Sequence, residues 1–313
     1  MLYRKRHTQI TAILLLLIFV LLLSGCQQQN TAGSDMTTGE IVVTDDSGTQ
    51  LKLDKYPERI ISLTPNNTEI LFALGLGERV VGVTTYCDYP EEVSQKARIG
   101  DLQGNVEEIV ALKPDLVVAK AVLNEDIVSK LRKLDVPVLC VDPESIDGVY
   151  RSIELIAKVT GTDSNGDKII SEMKAKISDV QQKVAEIPEE ERLKVFIEVG
   201  NDPLYTAGGD TYVDELVRLA GGINIASDIT GYQMYSLETV VKCNPDAILA
   251  ADSYYVDVKA EINKRPGWDT VKAVQKGHII TDIDTNLVNR AGPRSAIAVE
   301  TVAKALYPDL FLD

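Results

Sequence analysis

Two histidines in a chain of 313 residues set the first limit on chemistry. His7 lies in the leading apolar segment and His278 stands alone in an apolar strand pattern. No histidine pair is therefore available for proton transfer, and no His-rich set for holding zinc or manganese. A phosphate-cradling GxxxxGK[ST] run is absent, and Val80 occupies the third glycine position of the GxGxxG that Gly75 and Gly77 would begin. No GxSxG elbow occurs. Carboxylates are plentiful, but no two of them stand out in a glycosidase-like setting. The chain reads as a binder without a cofactor, not as an enzyme. A secreted enzyme and a surface scaffold are the readings from other classes.

Charged residues at informative spacings remain. "NRAGPR" places Arg290 and Arg294 near a strand-to-helix junction, where they suit a ligand phosphate or carboxylate, or acids within their own half of the chain. Glu69 opens the apolar run "ILFALGLG", and with Asn66 as N-cap it fits a capping box. A second copy of this arrangement exists: "TEILFALGLG" aligns without a gap on "DELVRLAGG", so that Glu69 stands six residues before Gly75 and Glu215 six before Gly221. In the second copy Thr211 and Asp214 form the natural capping pair, which leaves Glu215 free for another task. Beyond Cys26 the cysteines are Cys87, Cys140 and Cys243, an odd number with no CxxC. Small buried thiols and a Cys87 to Cys140 bridge are both compatible with that pattern.

The elements that must position these residues form one pattern used twice. Apolar runs at 59–63, 80–84, 115–119 and 136–141 read as strands, with helices at 67–75, 106–112, 124–134 and 146–160. The second half repeats this with strands at 194–199, 246–251 and 278–282 and helices near 211–220, 237–243 and 257–264. Such order implies an α/β fold of two similar lobes, with largely parallel sheets flanked by helices. Residues 100–119 also match 231–250 at a constant offset of 131, pairing Glu107 with Glu238 and Lys113-Pro114-Asp115 with Asn244-Pro245-Asp246. Between the halves, Ile170, Met173, Ile177, Val180, Val184 and Ile187 recur at helical spacing. They predict one rigid helix of roughly 25 residues, about 37 Å long at ~1.5 Å per residue, and hence little relative motion of the lobes.

The N-terminus reads as an export signal over residues 1–25: Arg4, Lys5 and Arg6 precede an apolar run too short for a membrane span, followed by small residues before Cys26. Losing that segment removes three positive charges and no acid, moving the formal charge from -15 to -18. An acidic chain of this kind is a poor nucleic-acid binder. "LSGC" resembles the bacterial lipoprotein box, which implies a lipid anchor on Cys26 at the outer face of the cytoplasmic membrane and a flexible tether over 26–39. The lobes then occupy 40–161 and 192–313, joined by the helix of 162–191.

Taken together, "ERIISLTPNNTEILFALGLGERVVGVTTYCDYP", "IGDLQGNVEEIVALKPDLVVA", "PLYTAGGDTYVDELVRLAGGINIA", "YSLETVVKCNPDAILA" and "NRAGPR" resemble the helical-backbone class of ABC-importer substrate-binding proteins, which deliver vitamin B12, ferric siderophores and haem. The "SLTPNNTE" and "YCDYP" segments are most similar to its cobalamin-binding branch. The resemblance implies a monomer whose ligand, a corrinoid or alternatively a ferric siderophore or haem, lies in a cleft between the lobes. It implies as lining residues Thr64, Pro65, Asn66, Tyr86, Tyr205, Tyr232, Tyr235 and Tyr254, with Arg290 and Arg294 in reserve for an anionic ligand. Twelve tyrosines against four phenylalanines and one tryptophan suit a flat macrocycle with an amide-decorated rim. Trp268, behind "KRPG", reads as a packing residue instead. The resemblance further implies one exposed glutamate per lobe that docks into arginine pockets of an ABC permease dimer served by its ATPase. Glu69 and Glu215 are the expected pair.

Overall fold

The computed structural model describes residues 40–251 and 257–312. Expectations for Cys26, the signal, the tether and Tyr254 fall outside these residues. The first lobe opens with an antiparallel hairpin, β1 (Ile41–Thr44) and β2 (Gln50–Leu53). Its main sheet is entirely parallel: β3 (Ile60–Ser62), β4 (Val80–Val83), β5 (Ala97–Arg98), β6 (Leu116–Ala119) and β7 (Val138–Cys140), in the order β5-β4-β3-β6-β7. Around it stand α1 (Pro65–Ala73), α2 (Val106–Ala111), α3 (Glu125–Lys133) and α4 (Ile146–Thr160).

The linking helix α5 (Asp163–Val184) has 22 residues, roughly 33 Å. It is shorter than its apolar spacing suggested. Beyond Val184 the chain leaves the helix before Pro188, and Ile187 is only partly buried.

The second lobe contains β8 (Lys194–Gly200), β9 (Tyr205–Ala207), β10 (Ile223–Asn224), β11 (Tyr232–Met234), β12 (Ala247–Ala250) and β13 (Ile279–Ile280). The order is β11-β9-β8-β12-β13, with β10 also on β8. Strands β10, β12 and β13 join in parallel, whereas β9 and β11 form an antiparallel edge. Its helices are α6 (Tyr212–Leu219), α7 (Leu237–Cys243), α8 (Val258–Lys264), α9 (Lys272–Gln275), α10 (Thr285–Asn289) and α11 (Ser295–Leu306).

The internal repeat is one of geometry as well as sequence. Asp115 and Asp246 each accept a backbone N–H at the start of the neighbouring strand: Oδ2 of Asp115 from Glu58 and Arg59, and Oδ2 of Asp246 from Lys194. Lys113 and Asn244, the matching residues before each proline, both adopt the left-handed conformation, at φ 49° and 48°. Asn105 and Ser236 cap α2 and α7 as expected.

Alternating strand residues divide each sheet between two cores. In the first lobe Ile61, Val117 and Cys140 face one helical layer, while Ile60, Leu116 and Leu139 face the other. In the second, Phe196 and Ile248 pack with buried Trp268, and Val195, Ile197 and Leu249 face inward. The two inward faces, together with Ile170, Met173, Ile177, Val180 and Val184 of α5, belong to one continuous apolar core. Trp268 is thus the packing residue its sequence context indicated. Cys87, Cys140 and Cys243 are free thiols, so the Cys87 to Cys140 bridge does not form.

Candidate functional site

A cleft of about 820 Å³ opens between the lobes. Its walls are the starts of two equivalent helices. Thr64, Pro65 and Asn66 lead into α1, and Asp210, Thr211 and Tyr212 lead into α6; all six line the cleft, and the two triplets correspond when Gly75 is aligned on Gly221. Both glycines adopt positive φ (82° and 85°) two residues beyond their helices, a conformation that glycine takes without strain. The two helix starts differ in one respect. Thr211 accepts the Asp214 N–H and caps α6, whereas Thr64 makes no cap hydrogen bond to α1, and its Oγ1 is buried without a partner. Helix α1 begins at Pro65, so Asn66 is not its N-cap and the expected capping box with Glu69 is absent.

Of the tyrosines expected here, Tyr86 and Tyr232 line the cleft with over half their surface exposed (55% and 53%). Leu123 is a third partly exposed apolar wall. Tyr235 stacks on Phe196 within its own lobe, 5.9 Å between centroids, and neither it nor Tyr205 reaches the cleft. Partial desolvation by the cleft walls raises the pKa of the Tyr232 phenol, and the neighbouring Glu144 and Asp210 raise it further. Sequence reasoning missed Lys120, Glu144, Asp210, Asn286 and Asn289, which complete the polar lining. Asn289 opens the NRAGPR motif and Asn286 stands three residues before it, and these were the legible signal; the others sit on connections whose convergence only the fold creates.

Beneath the cleft lies the arrangement that overturns the docking role expected for Glu69. Its carboxylate is 2% exposed. Arg294 donates from Nε to Oε2 at 2.8 Å and from Nη2 to Oε1 at 2.7 Å, and Arg290 adds Nη1 to Oε1 at 3.3 Å. A carboxylate so enclosed is out of reach of an external arginine. Arg290 also grips both oxygens of Asp88, and Arg294 stacks over the Tyr89 ring at 4.1 Å. The hydrogen bond from Arg290 holds the Asp88 pKa below its ordinary value. Hydrogen bonding to Glu69 raises the Arg294 pKa. The arginines therefore pair chiefly with acids of the opposite lobe, and Arg294 also stands 3.6 Å from Asp284 of its own lobe, the kind of partner its sequence context allowed. Of the two, Arg290 also lines the cleft and Arg294 does not.

Glu215 makes the reciprocal contact. Its Oε2 accepts the backbone N–H of Ile146 at 2.7 Å, capping α4 of the first lobe alongside Ser145, and its side chain is 22% exposed. It too is engaged within the molecule and does not present a free acid. The aligned glutamates are a matched pair, as their spacing implied, but each clasps the other lobe. The exposed acids matched by the internal repeat are Glu107 and Glu238, in the first turns of α2 and α7.

Two α/β lobes on one linking helix, with a ligand-sized cleft between opposed helix starts, define a solute-binding protein. The chain belongs to the periplasmic binding protein family, whose pattern matches residues 60–284. An uncharacterized ABC transporter substrate-binding lipoprotein of Bacillus subtilis, YvrC, is 40% identical over 95% of this chain and 96% of its own length. The crystal structure of the periplasmic vitamin B12 binding protein BtuF of Vibrio cholerae superposes with TM-score 0.69 and 29% identity, covering 80% of this chain and 97% of that one. The periplasmic heme-binding protein RhuT of Roseiflexus superposes with TM-score 0.73 and 29% identity over 81% and 100%.

Proposed function

We propose that this chain is the lipid-anchored receptor of an ABC importer and that its cargo is a corrinoid. The observation that carries the cargo is the cleft itself: two exposed tyrosines and Leu123 offer apolar surface to a flat macrocycle, while Asn66, Asn286 and Asn289 offer neutral hydrogen-bonding groups to its rim. Likeness to a vitamin B12 binding protein supports this reading, and the name of the Bacillus subtilis relative supports the importer and the anchor at Cys26. Likeness to a haem-binding protein favours a second reading, a haem or ferric siderophore receptor. It is the weaker one, because both cations that line the cleft, Lys120 and Arg290, are already paired with protein acids. Affinity would come from a largely preformed cleft.

The permease-facing acids in this reading are Glu107 and Glu238. They are exposed, one per lobe, and related by the internal repeat; neither has an ion-pair or hydrogen-bond partner for its side chain among the described residues. Two equivalent acids meeting two equivalent permease subunits would fix orientation as well as attraction.

Calorimetric titration of the full chain in detergent with cyanocobalamin, haem and several ferric siderophores tests the cargo. Cyanocobalamin is expected to bind. Binding by iron complexes alone would show the corrinoid reading to be wrong.

A further inference from the structure

Charge in the cleft points to something narrower than a macrocycle, and it rests on the corrinoid reading. Three carboxylates line the cleft: Asp88, Glu144 and Asp210. Asp88 is neutralised by Arg290, but no cation stands within ion-pair distance of Glu144 or Asp210 among the described residues. Asp210 accepts only the Gly231 N–H. The lining cations are spent. Lys120 Nζ lies 2.9 Å from Asp142, and Arg290 serves Asp88 and Glu69 together. A ligand carboxylate would have to open one of these pairs, and at Arg290 it would leave the buried Glu69 partly uncompensated.

One place in the cleft does favour an electron-rich atom. Thr64 is 2% exposed, its Oγ1 has no partner, and it stands at the side-chain-uncapped start of α1, whose first N–H groups lack helical acceptors. The partial positive charge of a helix start is about half a unit, against two full negative charges on Glu144 and Asp210. An anion is therefore opposed overall, while a neutral carbonyl oxygen accepts from the Thr64 hydroxyl and the free amides without meeting that opposition.

We propose that the cleft discriminates against carboxylates: its ligand carries no net negative charge and presents an amide carbonyl to Thr64 at the start of α1. Such a cleft takes a corrin whose side chains are amides and refuses the same corrin with free acids.

The test compares cobinamide, with an amide rim, and cobyrinic acid, the same macrocycle bearing carboxylates, by calorimetry on the full chain. Cobyrinic acid should bind about a hundredfold more weakly. The ratio should shrink in the Glu144→Gln/Asp210→Asn variant and at high salt. Thr64→Val should weaken cobinamide about tenfold while Thr64→Ser retains it. Equal affinity for the two corrinoids overturns the inference and leaves the corrinoid reading standing. If neither corrinoid binds, that reading falls, and cationic ferrioxamine against anionic ferric citrate decides the inference: preference for ferrioxamine upholds it, preference for ferric citrate overturns it.

Discussion

Removing the Glu69 carboxylate would leave Arg290 and Arg294, 13% and 14% exposed, with positive charge and too few partners. Breaking a buried pair in this way costs about 3–5 kcal/mol. Glu69→Ala should lower the denaturation midpoint accordingly. Arg294→Ala should do much the same, and the double variant should lose less than the two together, because all three residues share one network. Chemical denaturation of the three proteins measures this. At the residue scale the sequence showed that Glu69 and Glu215 form a pair, and it misassigned what they hold. The partners of Glu69 lie 221 and 225 residues away, a distance across which no local pattern reports. An acid at a helix start looks the same whether it faces solvent or a buried arginine.

At the scale of elements, strands with both faces buried wrote themselves into the sequence as short apolar runs, and β3, β4, β6, β7, β8 and β12 lie inside the runs read for them, β8 extending one residue further. The hairpin β1 and β2 went unread although its burial alternates residue by residue. So did the edge strands β9 and β11, whose Tyr-Thr-Ala and Tyr-Gln-Met lack the apolar run that marks the equally short β3 and β7. Helix α5 is held against α4 by a close approach invisible in one dimension: a Cβ at Gly166 would stand 2.9 Å from the Ala157 Cβ. Gly166→Val should therefore force the helices apart at a cost of about 1–3 kcal/mol. The urea midpoint followed by circular dichroism reads the loss.

For the whole molecule, one apolar core running through both inner sheet faces and α5 makes the linking helix part of the packing, not a free joint. In the proposed reading, docking on a permease acts on a nearly fixed frame, with the exposed acids Glu107 and Glu238 displayed at a set spacing. Glu107→Ala and Glu238→Ala should leave ligand affinity in place and reduce receptor-stimulated ATP hydrolysis, most strongly together. Transport assays in reconstituted vesicles measure this; full stimulation by the double variant would remove both residues from the interface.

The clasp between Glu69 and the two arginines also bears on how the protein is made. A chain synthesised from its N-terminus presents Glu69 long before Arg290 and Arg294, which lie among its last 24 residues. Until they arrive, the first lobe must bury a bare carboxylate or leave that part of α1 unpacked. Completion of the earliest-emerging lobe thus waits on the late-emerging connection between α10 and α11, which carries both arginines.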